Sequence, residues 1–89
     1  MKITVEIPCM VGDKVWVINR HLNRIFECVV IGVKVGYTTD LKNHIKTCWT
    51  GPHGNQSIRK WTFRQVGRYV FLNREEAEKA LAEGVSEDG

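Results

Sequence analysis

The sequence lacks the long apolar run that a membrane-spanning helix requires. Such a helix needs about 20 consecutive apolar residues, and polar or charged residues interrupt every apolar stretch of this 89-residue chain. Residues 1–6 also mix charge with apolar side chains, so we expect no export signal. A chain of this length buries only somewhat more than about 60% of its unfolded surface, which predicts one modest core. We expect a single domain over residues 1–84 and a frayed acidic tail over residues 85–89.

Cysteine is scarce, and its spacing argues against a disulfide framework. Cys9, Cys28 and Cys48 are odd in number and scattered, which suits a reducing compartment and predicts a cytoplasmic protein. His44 and His53 could join these thiols in a zinc site, because thiolate and imidazole are the usual zinc ligands. However, the sequence contains no Cys-x-x-Cys or His-x-x-x-His pair. We therefore expect no metal and no other cofactor.

Motifs of catalysis and phosphate binding are also missing. There is no G-x-G-x-x-G or Walker pattern, and the segment Gly51–Gly54 is too short and too broken by proline for a phosphate loop. His21 and His53 lie in polar turns, where a histidine is more often a surface residue than a general base. An enzyme is the class of protein that we least expect.

Acidic residues are rare in the middle of the chain. Between Lys14 and Leu72, ten basic residues accompany two acidic ones, a net charge of +8, whereas residues 73–89 carry a net charge of −4. The overall charge of +3 therefore conceals a basic body and an acidic C-terminal segment. A basic body favours a polyanion or an acidic protein surface as the partner.

Alternating apolar and polar residues predict several short strands. Residues 2–7 alternate with period two, and Val15–Ile18 is apolar on both parities, as is typical of a central strand. The long run over residues 24–36 contains Gly32, which permits a bend or bulge, so that the two halves of the strand serve different parts of a barrel. Residues 50–57 are rich in turn formers and predict a hairpin tip.

One helix is predicted after these strands, over about residues 74–83. Asn73 is a good N-cap, and Glu76 falls at the third helical position. Together the elements predict a mainly β (α+β) fold. We expect a small, partly open barrel of the SH3-like or OB-like kind, with about five to six antiparallel strands and one C-terminal α-helix.

The predicted hairpin would gather basic side chains on one sheet face. If the strands that end near Trp49 and begin near Ile58 pair, like charges lie across the face from one another. This candidate partner-binding face consists of Lys42, His44, Lys46, Lys60 and Arg64. Two interpretations stay open: a solvated face that only prevents edge-to-edge pairing, or a face to which a partner brings negative charge.

The three tryptophans, Trp16, Trp49 and Trp61, can be interpreted in two ways as well. Their positions within the strand patterns favour packing in the core. The alternative is an exposed platform on which nucleobases stack.

Three functional hypotheses follow from these features. The first is a non-enzymatic binding module that docks its basic face on a protein partner, either acidic or nucleic-acid-binding. The second is a small barrel that binds nucleic acid through the same face. The third, which we favour least, is a metal-dependent or catalytic protein that uses Cys48, His44 and His53. No membrane partner is expected, and the oligomeric state stays open.

Three segments carry a resemblance. Val11–Ile18 (VGDKVWVI), Phe26–Val30 (FECVV) and Gly67–Leu81 (GRYVFLNREEAEKAL) resemble a group of small uncharacterised proteins from Gram-positive gut bacteria, their phages and mobile elements. The GDKVWV opening is also similar to the first strand of SH3-like barrels. The resemblance implies a small β-rich fold with a C-terminal helix, and a phage-type accessory role such as inhibition of a host defence protein. It brings no catalytic residues.

Overall fold

A five-stranded antiparallel sheet and one helix form the fold. The structure is a computed structural model, and it describes residues 6–36 and 42–83. In chain order the elements are β1 (Lys14–Asn19), β2 (Arg24–Lys34), β3 (His44–Thr50), β4 (Gln56–Thr62), a 3-10 helix (Phe63–Gln65), β5 (Val70–Phe71) and α1 (Arg74–Glu83). The strand order is β4-β3-β2-β1-β5, and all neighbouring strands are antiparallel. The prediction of a mainly β fold with a C-terminal helix is confirmed.

The sheet is open across the described ranges, with β4 and β5 at its edges. Closure as an SH3-like or OB-like barrel therefore stays a prediction. The predicted strand over residues 2–7 lies mostly outside the described residues, and Glu6 and Ile7 are not in a strand. The predicted tail over residues 85–89 lies outside them as well. In the part of the chain that the structure describes, no helix is long and apolar enough to cross a membrane.

The sheet has two faces of different composition. Side chains alternate between the faces along each strand, so the register of the pairs assigns every residue to one of them. The inner face carries the main core, which includes Val15, Cys28, Val30, Ile45 and Trp61. On the outer face, a second cluster lies over β1 and β5, beneath α1.

The predicted irregularity at Gly32 is present. The β2–β3 register shifts between Val30 and Gly32, because Val30 pairs with Thr47 whereas Gly32 pairs with Lys46. Ile31 is the extra residue of this bulge. A bulge bends its strand and increases the local twist, so the two halves of β2 lie at an angle to one another.

The helix begins where the sequence predicts. The backbone N–H of Glu76 donates a hydrogen bond of 2.8 Å to the Asn73 Oδ1 atom, as an N-cap requires. Glu75 and Glu76 lie in the first turn, where negative charge stabilises the helix dipole. Ala77 is buried, and the helix packs through it on β1 and β5.

Candidate functional site

Lys46 and Lys60 are the two predicted site residues that the structure places directly opposite each other. They are partners in the antiparallel register of β3 and β4, and both side chains are exposed. Within residues 6–36 and 42–83, neither lysine forms an ion pair. The hairpin therefore presents two adjacent positive charges to solvent. Like charges at directly opposite positions destabilise a strand pair, so the fold gains nothing from this arrangement.

His44 and Lys42 do not extend the pairing of Lys46 with Lys60 into a longer row of opposed basic residues. His44 is half-buried on β3 and is paired with Thr62, which carries no charge. Its Nδ1 atom lies 3.3 Å from the carbonyl oxygen of Lys42. Lys42 is in the turn that precedes β3, and it is not part of the strand, which begins at His44. The expectation that Lys42 and Lys46 share one strand face is therefore wrong for Lys42.

Arg64 does not share a strand with Lys60, although the alternation of apolar and basic residues over 58–64 predicts one strand for both. β4 ends at Thr62, and Arg64 lies in the 3-10 helix. The Thr62 backbone N–H donates a hydrogen bond of 2.9 Å to Gln65 Oε1, which closes this turn. The Phe63 N–H donates to the carbonyl oxygen of Asn43 at 3.2 Å. The Phe63 bond continues the β3–β4 pairing by one step, and the 3-10 helix begins there, so Arg64 lies outside the strand register that pairs Lys46 with Lys60.

Lys34 is a member of this face that sequence patterning missed. It pairs with His44, in the row next to Gly32 and Lys46. Counting by twos from Val29 would place Lys34 on the other face, because the two positions differ in parity. The extra residue of the bulge reverses the parity. In the sequence, Gly32 indicated the bulge and therefore the position at which the alternation of faces along β2 changes.

The lysines adjoin an exposed apolar row. We define the open outer face by three adjacent cross-strand rows on β2, β3 and β4: Lys34–His44–Thr62, Gly32–Lys46–Lys60 and Val29–Cys48–Ile58. Val29 and Ile58 are 40% and 60% exposed. A Cβ atom built on Gly32 would lie 3.7 Å from the Lys46 Cβ, so the lysine stem lies over the glycine. The face thus combines positive charge with apolar surface.

Among the described strands, Glu27 is the one acidic residue, and it lies on the outer face where β2 borders β1. Glu27 Oε2 lies 3.3 Å from Lys14 Nζ, and both side chains are at least half exposed. An exposed pair of this kind contributes about 1 kcal/mol or less. Glu27 is therefore paired with Lys14, while Lys46 and Lys60 have no ion-pair partner among the described residues.

A cleft lies on the opposite, inner face of the same strands. It has a volume of about 240 Å³, and its wall includes Phe26, Thr47, Trp49, Ser57, Arg59 and Trp61. The rings of Phe26 and Trp49 meet edge to face, with centroids 5.2 Å apart. The Trp61 indole N–H donates a hydrogen bond of 3.0 Å to Thr47 Oγ1. The Arg59 guanidinium carbon lies 5.7 Å from the Trp61 ring centroid.

The tryptophans pack as the core interpretation predicts, but Trp49 also helps to form this cleft. Trp61 is buried, and Trp49 is half-buried against the main core. Trp16 lies on the outer face beneath α1. Parity alone could not show that the aromatic side chains leave a gap between them.

The structure does not bring the candidate zinc ligands together. Cys28 is buried in the core, Cys48 is half-buried on the outer face, and His53 is exposed at the hairpin tip. In the described ranges, no group of three His, Cys, Asp or Glu side chains is close enough to hold a metal ion. Burial, followed by the charges of Cys48 and Glu27, raises the pKa of Cys28 to about 11. This thiol is therefore protonated and inert at neutral pH.

The chain matches no protein-family model, no curated protein and no solved structure. On the open outer face, Lys46 and Lys60 lie without an ion-pair partner among the described residues, beside the exposed Val29 and Ile58.

Proposed function

We propose that the protein is a non-enzymatic binding module that docks its open outer face on an acidic protein partner. The observation that carries the proposal is the pairing of Lys46 with Lys60 beside the exposed Val29 and Ile58. The like-charge pair costs stability in the free protein. Carboxylates of a partner would relieve that repulsion and gain a complementary field.

The apolar row favours a protein over a nucleic acid. Protein interfaces combine an apolar centre with a polar rim, which is the arrangement of the Val29–Cys48–Ile58 row beside the lysines. Single-stranded nucleic acid would need aromatic side chains on which its bases stack. The aromatic residues of β2, β3 and β4 are Phe26, Trp49 and Trp61, and all three contribute to the inner cleft instead.

We extend the proposal to the biological setting that the sequence resemblance implies. A phage or mobile-element accessory protein that inhibits a host defence protein would act by such docking. The cytoplasm is the compartment that we propose, because Cys9, Cys28 and Cys48 are free thiols that a reducing environment preserves.

The test is a charge reversal on the open outer face. Lys46→Glu/Lys60→Glu removes the positive pair, whereas Arg68→Glu/Lys79→Glu changes the net charge equally at exposed positions of a turn and of α1. Both variants and the original protein are used to capture partners from nuclease-treated host lysate. Each captured protein is then purified, and its affinity is measured across a salt series.

We expect an acidic protein that the original chain and the control variant bind alike, and that Lys46→Glu/Lys60→Glu binds at least about tenfold more weakly. A partner that both variants bind equally would overturn the docking face. Tight, salt-steep binding of purified DNA or RNA, lost in the same variant, would favour the nucleic-acid alternative.

A further inference from the structure

We infer that the partner docks by an extended segment with alternating acidic and apolar residues, which adds as a strand to the edge of β4. This inference rests on the proposed function and specifies how the acidic partner is bound. Added strands obtain affinity from main-chain hydrogen bonds and specificity from alternate side chains.

The outer edge of β4 pairs with no strand of the described residues. β4 is the last strand of the sheet in the described residues, and Gln56–Lys60 is exposed along its whole length. An edge strand presents a row of unpaired N–H and C=O groups. A seven-residue strand is long enough to give an added segment several such bonds.

The charge on β4 selects against a second copy of this chain. Arg59 and Lys60 lie near the middle of the edge strand, and charged side chains there discourage edge-to-edge pairing of identical strands. Lys60, together with Lys46 beside it, attracts a segment that carries carboxylates. The charges on β4 thus disfavour pairing with a second copy of this strand and favour pairing with an acidic strand.

The inner cleft lies directly beside this edge. Ser57, Arg59 and Trp61 of β4 contribute to its wall, together with Phe26 and Trp49. Its volume of about 240 Å³ is below the roughly 300–1,000 Å³ of pockets for drug-sized ligands. The cleft therefore suits one or two apolar side chains that enter from an added strand.

Alternation assigns each side chain of the added segment to one face. Residues opposite Arg59 and Trp61 would point towards the cleft and should be apolar. Residues opposite Ile58 and Lys60 would point towards the open outer face, where carboxylates meet Lys46 and Lys60. One period-two segment would thus use both surfaces at once.

The probe is a synthetic peptide of seven residues, the length of β4, in which glutamate alternates with leucine or valine. A peptide of the same composition with all glutamates grouped at one end is the control. Binding is followed by the indole N–H resonances of the full-length protein in NMR spectra. Trp16 lies beneath α1 and serves as an internal reference for Trp49 and Trp61.

We expect the Trp49 and Trp61 resonances to shift and the Trp16 resonance to stay in place. The alternating peptide should bind at least about tenfold more tightly than the grouped one, because only alternation fits both faces. Methylation of the peptide nitrogens that face β4 should weaken binding about tenfold or more, whereas methylation of the other set should change it less than about twofold. Lys46→Glu/Lys60→Glu should weaken binding, and Arg68→Glu/Lys79→Glu should not.

Failure to bind the alternating peptide, equal effects of the two methylation sets, or displacement by single-stranded DNA would overturn the strand addition. The two proposals can fail separately. If a captured acidic protein still depends on Lys46 and Lys60 while the peptide does not bind, the docking face stands and the strand mode is wrong. If the peptide and the captured protein are both indifferent to these lysines, both proposals are wrong.

Discussion

Ile45 and Ile58 belong to the two strands of one hairpin, yet their surroundings are opposite. Ile45 points to the inner face and is fully buried, whereas Ile58 points to the outer face and is 60% exposed. The side chains are chemically identical, so the difference lies in what packs against each face. The inner face holds the core, whereas no described residue packs closely enough over Ile58 to bury it on the open outer face. Apolar residues of this hairpin therefore stabilise the fold on one face and offer binding surface on the other.

The strongest test of this difference is to truncate each isoleucine. Ile45→Ala should lower the free energy of unfolding by about 3 kcal/mol, because it removes buried methyl groups and leaves a cavity. Ile58→Ala should change it by less than about 0.5 kcal/mol, as an exposed site permits. Urea unfolding followed by tryptophan fluorescence measures both. Equal losses would mean that something covers the outer face of the free protein.

The buried Cys28 of the inner face allows a test by pH. The pKa of Cys28 is about 11 in the folded protein, against 9.0 for an ordinary thiol. The folded state therefore holds this proton more tightly, and its stabilising effect is complete below pH 9 and lost as pH rises towards 11. We expect stability to fall by about 2 kcal/mol over that interval. The slope is measured as the difference between the original protein and Cys28→Ala, which cancels other titrating groups. An unchanged slope in Cys28→Ala would show that Cys28 is not the group responsible.

The smallest effect concerns the lysine pair of the outer face. Lys60→Glu places an acid opposite Lys46 and should stabilise the hairpin by about 0.2–1 kcal/mol at low salt. Added salt should reduce this gain. A double-mutant cycle with Lys46→Glu isolates the pair energy. A loss of stability in Lys60→Glu would show that the two lysines do not repel each other in the free protein.

Local patterns predicted the elements that depend on local bonds. The Asn73 cap, the hairpin tip around Gly54 and the irregularity at Gly32 all follow from short-range geometry, and all are present. The end of β4 was not predicted. Trp61 and Phe63 are both buried, as the alternation requires, but Phe63 reaches the core from a 3-10 turn. Periodicity detects burial at such positions and does not distinguish a strand from a turn.

The candidate site depended more strongly on long-range contacts. The pairing of Lys46 with Lys60 follows from the hairpin alone, because turn and register are local to it. The position of Lys34 depends on the bulge, and the position of Arg64 depends on the 3-10 turn that Gln65 closes. Neither is visible in the spacing of charges along the chain.

The sequence by itself determined the mainly β composition, the C-terminal helix and the basic character of the body, because alternation, capping and charge are properties of neighbouring residues. Only the tertiary structure decided that α1 packs mainly on β1 and β5, with a smaller contact on β2, and that Val29, Lys46 and Ile58 stay exposed among the described residues. It also decided that the aromatic side chains of these strands enclose a cleft rather than fill the inner face. Both outcomes depend on how distant elements pack, and side-chain packing between distant residues has no periodic signature in a single sequence.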